Sequence, residues 1–499
     1  MSTSTKLAIA SILSLFAGVT VGRFLEHRRK NPSLTSKEQG RGVGVPHPAC
    51  GDCIYFDYNG TTPVFPEVAD KIIHFVTHCF GNPSSSHAYG SVAREAVAEA
   101  RAQVARLVGA AAPETIVFTS CGSESDNRAI DIALEHFQSS IKLTSTESIV
   151  PHIISCVVEH PAILLYLKHL EAKGAISLSL APVTPEGFVE PSTVGHLLRA
   201  ETALVTIMHS NNEVGTLQPI RAIAAEVKSF NAREKRAVLL HSDAAQSLGK
   251  VPVDVLSLGV DLLTIVAHKF GGPKGIAALY IREGVGMRPM LFGGGQEGGR
   301  RAGTENVAYI AGLGEAARLA RDEAGALLLH MLTLKLRLLD GLQRAFAEDA
   351  DPLLLRFNGP ARSNDANAIA SDLKVLCLIL SNNRPPASSP VAADVLTHLL
   401  PFPASIGNVQ LDQLPNTISV SFRNVQSDKV VAALQQKVAC SQGSACHSHD
   451  YKLSAVLEAM SVPPEYGFGT LRLSLGRHTS EADVDRAIVY IAAAVRSCR

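Results

Sequence analysis

A chain of 499 residues with 46% apolar side chains is long enough for one large domain and a smaller one. Its 46 basic and 46 acidic residues cancel, so no electrostatic footprint favours nucleic acid. The nine cysteines are dispersed and odd in number, unlike a small secreted disulfide scaffold, and a reducing compartment is the expectation.

At the N-terminus, "LAIASILSLFAGVTVG", Leu7 to Gly22, is an uncharged apolar run. It falls short of the roughly 18–20 residues of a spanning helix. Three readings stand for residues 1–30: a short membrane anchor, a signal-peptide core, or an organellar, mitochondrial-type targeting segment. Arg23, Arg28, Arg29 and Lys30 follow the run, so the body of an anchored protein would face the cytosol. A cleaved secretory signal ranks below the others, because it would carry free cysteines into an oxidising space. Residues 31–53 are polar and rich in Gly and Pro, and read as a linker. Its lone CxxC, Cys50 and Cys53, has no second pair nearby, which favours two surface thiols over a metal site.

From Ile54 the texture is α/β. "SVAREAVAEARAQVARLV" places Val92, Ala96, Val104, Leu107 and Val108 on one helical face. "ETIVFTS", "HIISCVVEH", "TALVTIMHSNN", "AVLLHSDAAQ" and "DLLTIVAHK" are short apolar runs ending in polar or small residues, with helical stretches between them. That alternation predicts a mostly parallel sheet covered on both faces, with ligands gathered at the carboxyl ends of its strands. A large domain is expected over residues 54–310 and a second over 311–499. The second opens with a long helical pattern to about Phe346 and closes with a helix from Glu481 to Val495, capped by Thr479 or Ser480. An insertion at about 361–412 carries no assigned chemistry.

Two strand ends carry the chemistry. "IVAHKFGGPKG" puts Lys269 just past a buried run, and "HSDAAQ" puts Asp243 at the end of another. Alone, Lys269 reads as a surface lysine on a turn. Together, a lysine and an aspartate at neighbouring strand ends are what pyridoxal 5'-phosphate requires: an amine to form the Schiff base, and a carboxylate to pair with the pyridinium nitrogen. "SCGSES", Ser120 to Ser125, joins a strand to a helix and suits a phosphate at the helix N-terminus, although an ordinary turn reads the same way.

"YFDYNGTTPV", "GNPSSSHAYG", "FTSCGSESDN", "VVEHPAI", "NNEVGTLQPI", "HSDAAQSLGKVPVD", "AHKFGGPKG", "GGGQEGGRRAGTEN", "ACSQGSACHS" and "LRLSLGRHT" follow one another in this order. The set resembles the class V aminotransferase family, in its cysteine desulfurase and selenocysteine lyase branch, over essentially Ile54 to Arg499 apart from the insertion. The resemblance implies a fold-type I enzyme, with a seven-stranded, mostly parallel sheet and a smaller C-terminal α+β domain. It implies Lys269 as the Schiff-base lysine, Asp243 on the ring nitrogen, Gln246 on the ring hydroxyl and His160 stacked on the ring. Asn212 would contact the cofactor, and Gly122, Ser123 and His268 would hold its phosphate. Thr304 would reach the phosphate of the other subunit, which implies a homodimer. Arg472 would clamp the substrate carboxylate, with Asn59 beside the substrate. Cys446, on a mobile Gly/Ser loop, would be the nucleophile. Cys440, six residues earlier, reads as a small buried strand-end residue.

The activity so implied is a C–Se/C–S lyase converting L-selenocysteine to L-alanine and selenide. The alternative is a cysteine desulfurase that leaves a persulfide on Cys446 for a chalcogen acceptor protein of iron–sulfur cluster or tRNA thiolation pathways. A third reading is an inactive, membrane-tethered binding protein. The chain departs from the family pattern at Cys121, where Gly is usual, and at Val266, where many desulfurases carry a phosphate-binding Ser. It departs again at Gly298, where Arg is usual, and at Ala302, where selenocysteine lyases tend to have Pro.

Overall fold

Strands that are apolar on both faces need cover on both sides, and that requirement shapes the larger body of this protein. A computed structural model describes residues 50–141, 149–361, 365, 368–369, 411–447 and 450–499. The chain enters through a short strand β1 (Ile54–Tyr55). It then builds one sheet from β2 (Ile116–Thr119), β3 (His152–Cys156), β4 (Ser177–Ala181), β5 (Thr202–Thr206), β6 (Leu239–Asp243), β7 (Leu262–Val266) and β8 (Ala277–Ile281). Their order across this seven-stranded sheet is β2-β8-β7-β6-β5-β3-β4. Only β8 runs antiparallel to its neighbours. The five runs read as strands are strands; β4 and β8 were not singled out.

Successive residues point to opposite faces. Ile154 and Cys156 of β3 and Leu263 and Ile265 of β7 enter one core, while Ile153 and Leu262 enter a second on the other face. The sheet therefore has helices on both sides, and its polar strand ends are left to form a site.

A second body is built on β9 (Leu355–Asn358), β10 (Thr417–Phe422), β11 (Val438–Ala439), β12 (Ser441–Gln442), β13 (Ser444–His447), β14 (Asp450–Leu453) and β15 (Thr470–Ser474). Four of these form an antiparallel sheet in the order β12-β15-β10-β9. Helices Ala324–Ala345 and Glu481–Ser497 pack on it. Ser480 caps the last helix, with Asp483 returning the bond to its backbone. The N-terminal strand belongs here too: β1 pairs in parallel with β11, and Ile54 and Phe56 are buried in this core.

Two differences from the sequence reading have physical causes. The helix Ala88–Leu107 buries Gly90, Ala93, Val97, Ala100, Val104 and Ala105, while Val92 is exposed. The packing face is chosen by close approach rather than by bulk. A methyl group on Gly314 of the facing helix Val307–Asp322 would come within 2.5 Å of Ala100 Cα, so small residues must meet there. The helical pattern read from Ala311 to Phe346 is two helices that part at Glu323. The first packs into the larger body and the second into the smaller. Arg477 ties the junction, bonding Glu323 at 2.7 Å and Glu67 at 3.3 Å.

The insertion lies almost wholly outside the described residues; where the chain returns, Leu217 N–H bonds Asp412 O at 2.9 Å and Thr216 pairs with Gln413. No helix among the described residues is long and apolar enough to cross a membrane. The apolar run Leu7–Gly22 lies outside those residues.

The Gly314 contact is testable. Helix propensity alone would favour Gly314→Ala by about 1 kcal/mol, but overpacking against a backbone atom costs about 1–3 kcal/mol. A lowered denaturant midpoint at unchanged slope is the expected outcome.

Candidate active site

Lys269 ends a single turn, Ala267–Lys269, immediately after β7, and Asp243 is the last residue of β6. β6 and β7 are neighbours in parallel register, so both groups reach the same carboxyl edge of the sheet. Lys269 Nζ donates to the carbonyls of Asn59 at 2.8 Å and Gly60 at 2.9 Å. Burial, with the positive charge of Arg472 nearby, lowers its pKa to about 8. The Asp243 carboxylate accepts one of the described hydrogen bonds, from Ala245 N–H at 2.8 Å, and none of the described ion pairs includes it.

Two further buried acids lie near Asp243. Burial raises Asp126 well above the carboxylate range, and raises Glu159 to about 8, with the negative charge of Asp243 adding to both. Asp126 Oδ1 and Glu159 Oε2 are buried without a hydrogen-bond partner. Burial raises Asp243 as well, but His160 and Lys269 oppose the shift. Asp243 is thus the acid of the three that positive neighbours favour as an anion. Asp126 and Glu159 were not singled out from the sequence, although both fall inside quoted motifs.

His160 precedes the helix Pro161–Ala172 and caps it: Nδ1 accepts from Ala162 N–H at 3.1 Å. The neutral ring therefore carries its proton on Nε2. Burial and Lys269 favour that neutral form, against the pull of Asp243. Gly122 and Ser123 open the helix Gly122–Ile141 straight after β2, and the first N–H groups of a helix have no partner within it. A Cβ on Gly122 would lie 2.8 Å from Val266 Cγ2. Val266 thus offers no polar contact but lets the helix start approach closely. His268, held neutral by burial with its pKa near 4, meets Thr61 Oγ1 through Nδ1 at 3.1 Å.

Arg472, on β15, donates from Nη2 to Asp57 Oδ1 at 2.6 Å and Ser441 Oγ at 2.7 Å, and from Nη1 to Asn212 O at 3.2 Å. Its Nε is buried without a partner. Asn212 joins the site through this carbonyl; its side chain enters none of the described hydrogen bonds.

Asn59 is the point at which the structure departs from expectation. It is 1% exposed, and its amide has nothing spare for a substrate. Nδ2 donates to Thr417 Oγ1 at 2.8 Å and Asn212 O at 3.3 Å; Oδ1 accepts from Asn416 Nδ2 at 3.1 Å and Lys250 Nζ at 3.4 Å. Its backbone N–H bonds Ser474 Oγ at 2.9 Å, and its carbonyl also takes Gln246 Nε2 at 2.9 Å. Asn59 is a seam between the two bodies. Its partners lie up to 415 positions away, which no local pattern reveals.

Two expected residues enter none of the contacts above. Thr304 is exposed beside a loop in which Leu291 and Phe292 are 42% and 86% exposed. Cys446 lies not in an open loop but on β13, paired with Tyr451 of β14; its side chain is outside the described set. Cys440 lies between β11 and β12, and burial and the nearby Asp57 push its thiol up to about 12.

Lysine, buried carboxylate, ring-fixed imidazole and open helix start converge on one strand edge. The donor set and the close-packed Gly122 fit a phosphorylated, nitrogen-bearing ring. The family model for Aminotransferase class-V matches residues 54–345 and 392–487. A cysteine desulfurase of Trichormus azollae is 38% identical over 439 residues, covering 87% of this chain and 91% of its own. A selenocysteine lyase of Rattus norvegicus is 36% identical over 461 residues, covering 89% and 94%. A solved NifS-like protein superposes with a TM-score of 0.70 at 31% identity, covering 88% of this chain and 98% of its own.

Lys269 should be distinguishable from surface lysines in the cofactor-free protein. Its amine is neutral above about pH 8, so labelling by an amine-reactive reagent should rise through that pH. An exposed lysine responds only near ~10.4. Peptide mapping of the labelled site against pH measures this.

Proposed function

The chain belongs to the class V aminotransferase family, and from that membership we propose that it is a pyridoxal-phosphate-dependent lyase that converts L-selenocysteine to L-alanine and selenide. The observation that carries this reading is Lys269 and Asp243 at the ends of adjacent strands, beside the capped imidazole of His160. The second reading, cysteine desulfuration, is favoured by relatives named cysteine desulfurase, and both use the same residues.

Bound there, the pyridine ring supplies an electron sink for the charge left when a Cα proton is removed. Every other task falls to the chain. Asp243 keeps a proton at the ring nitrogen. His160 would lie against the ring, and Gln246 would donate to its hydroxyl oxygen. The N–H groups of Gly122 and Ser123, with His268, hold the phosphate. Arg472 exchanges Asp57 for the substrate carboxylate, and its unpartnered Nε completes a two-point grip. Lys269, with its lowered pKa, takes the Cα proton.

With cysteine as substrate, the Cys446 thiolate attacks the substrate sulfur. The new S–S bond forms as the Cβ–S bond breaks, and the electron pair stays on carbon, which takes a proton to become the methyl of alanine. With selenocysteine the Cβ–Se electron pair likewise stays on carbon, which takes a proton to become the methyl of alanine. Selenium departs at the zero-valent level, and an external thiol reductant supplies the two electrons that bring it to selenide, while the weaker C–Se bond depends less on attack by Cys446. A homodimer completes the reading, with Thr304 serving the partner's phosphate. The exposed Leu291 and Phe292 beside Thr304 are the kind of apolar surface that a subunit contact covers.

Steady-state assays of both substrates test the assignment. Cys446→Ala should lower cysteine turnover by roughly 10²–10⁴-fold, the range for loss of a positioned catalytic group. It should retain part of the selenocysteine activity. Equal, fast turnover of both substrates by the wild type would remove selenocysteine from first place. Arg472→Lys should raise KM for both substrates by roughly 10- to 100-fold, because a point charge cannot reproduce the two-point grip.

A further inference from the structure

A buried cation beside the site has no task so far. Lys250 follows β6 in "QSLGKVP" and is 5% exposed. Its Nζ meets Gln246 O at 2.9 Å, Gln246 Oε1 at 3.0 Å and Asn59 Oδ1 at 3.4 Å. These three acceptors match the three hydrogens of an ammonium group. None of the described ion pairs includes it. Burial, with the positive charges of Lys269 and Arg472, pushes its pKa well down. A lysine held in such a place without a carboxylate is costly, and apolar residues of similar volume would fill the space more cheaply.

Its chemistry indicates a use. The structure sets the oxygen of the Gln246 amide against Nζ at 3.0 Å, the orientation that a charged amine, with hydrogens to give and nothing to accept, enforces. Nε2 is thereby turned to the opposite side, where one of its hydrogens bonds Asn59 O at 2.9 Å. The same carbonyl holds Lys269 Nζ at 2.8 Å. A side-chain amide turned by half a rotation has almost the same shape but the opposite polarity. Without Lys250, only the Asn59 carbonyl would oppose a turned Gln246 amide.

We propose that Lys250 is a positioning residue: it locks the Gln246 amide with Nε2 toward the cofactor's ring oxygen. The proposal rests on the reading of this site as one for pyridoxal phosphate. It is independent of whether selenium or sulfur leaves.

A double-mutant cycle on cofactor affinity tests it. Pyridoxal phosphate is titrated into cofactor-free wild type, Lys250→Met, Gln246→Ala and the double variant, and the dissociation constant is read from visible absorbance. Lys250→Met should weaken binding by roughly 10- to 100-fold. In the Gln246→Ala background the same substitution should cost less than about threefold, because its effect passes through Gln246. An equal loss in both backgrounds, or none in either, overturns the proposal. Should Lys250→Met fail to fold, Lys250→Gln takes its place in the cycle; it keeps the site polar, but its amide can offer oxygen or nitrogen and cannot impose an orientation. Should that fail as well, the structure of the wild-type protein with pyridoxal phosphate bound decides. Lys250 Nζ within about 3.5 Å of Gln246 Oε1 supports the lock, and a greater separation overturns it. Wild type that takes up no pyridoxal phosphate would overturn instead the reading of the site.

Discussion

A single asparagine sets the relation between the two halves of this protein. Each hydrogen-bonding position of Asn59 is filled: two on the amide nitrogen, two on the amide oxygen, one on the backbone N–H and two on the carbonyl. Thr417, Asn416 and Ser474 come from the smaller body; Lys269, Gln246, Lys250 and Asn212 come from the larger. A buried polar group left unsatisfied costs about 1–3 kcal/mol, so a shift of one body against the other would strand several groups at once. Arg472, carried by the smaller body, is thereby held to hydrogen-bond tolerance over strand ends that belong to the larger one.

Charge in the site is ordered by the same framework. Asp126, Glu159 and Asp243 are buried near one another, where burial disfavours ionisation, and Asp243 is the one that positive neighbours favour as an anion. Lys269 follows the neighbouring strand, and burial with the positive charge of Arg472 lowers its pKa. Acidic and basic groups in one place suit a molecule that carries a protonated nitrogen as well as anionic groups. The Asp57 carboxylate holds Arg472 at 2.6 Å.

Much of this was legible along the chain. Five central strands were readable because a buried strand is a short local run, and Lys269, Asp243 and the Gly122 turn stand directly after such runs. What could not be read depended on contacts between distant positions. The packing face of the helix Ala88–Leu107 was set by Gly314, more than two hundred residues on, and an apolar scale scores alanine too low to find it. Lys250 lies inside a quoted motif but draws no notice there, since nothing local says that Asn59 would close over it. The break at Glu323 was hidden because apolar periodicity carries through it while the two helices turn toward different cores.

The placement of β1 has a consequence for how the molecule is made. Ile54 and Phe56 emerge early in synthesis, yet the core that receives them is completed by the helix ending at Ser497. Domains fold as units while the chain is produced from its N-terminus. The seven-stranded sheet can therefore assemble on the ribosome, whereas the segment leading into Asn59 must wait for the helix Glu481–Ser497 before it has a place to go. The active site is finished only after that helix has been made, and a chain cut before it would carry Lys269 and Asp243 on a well-formed sheet with nothing to hold Arg472 over them.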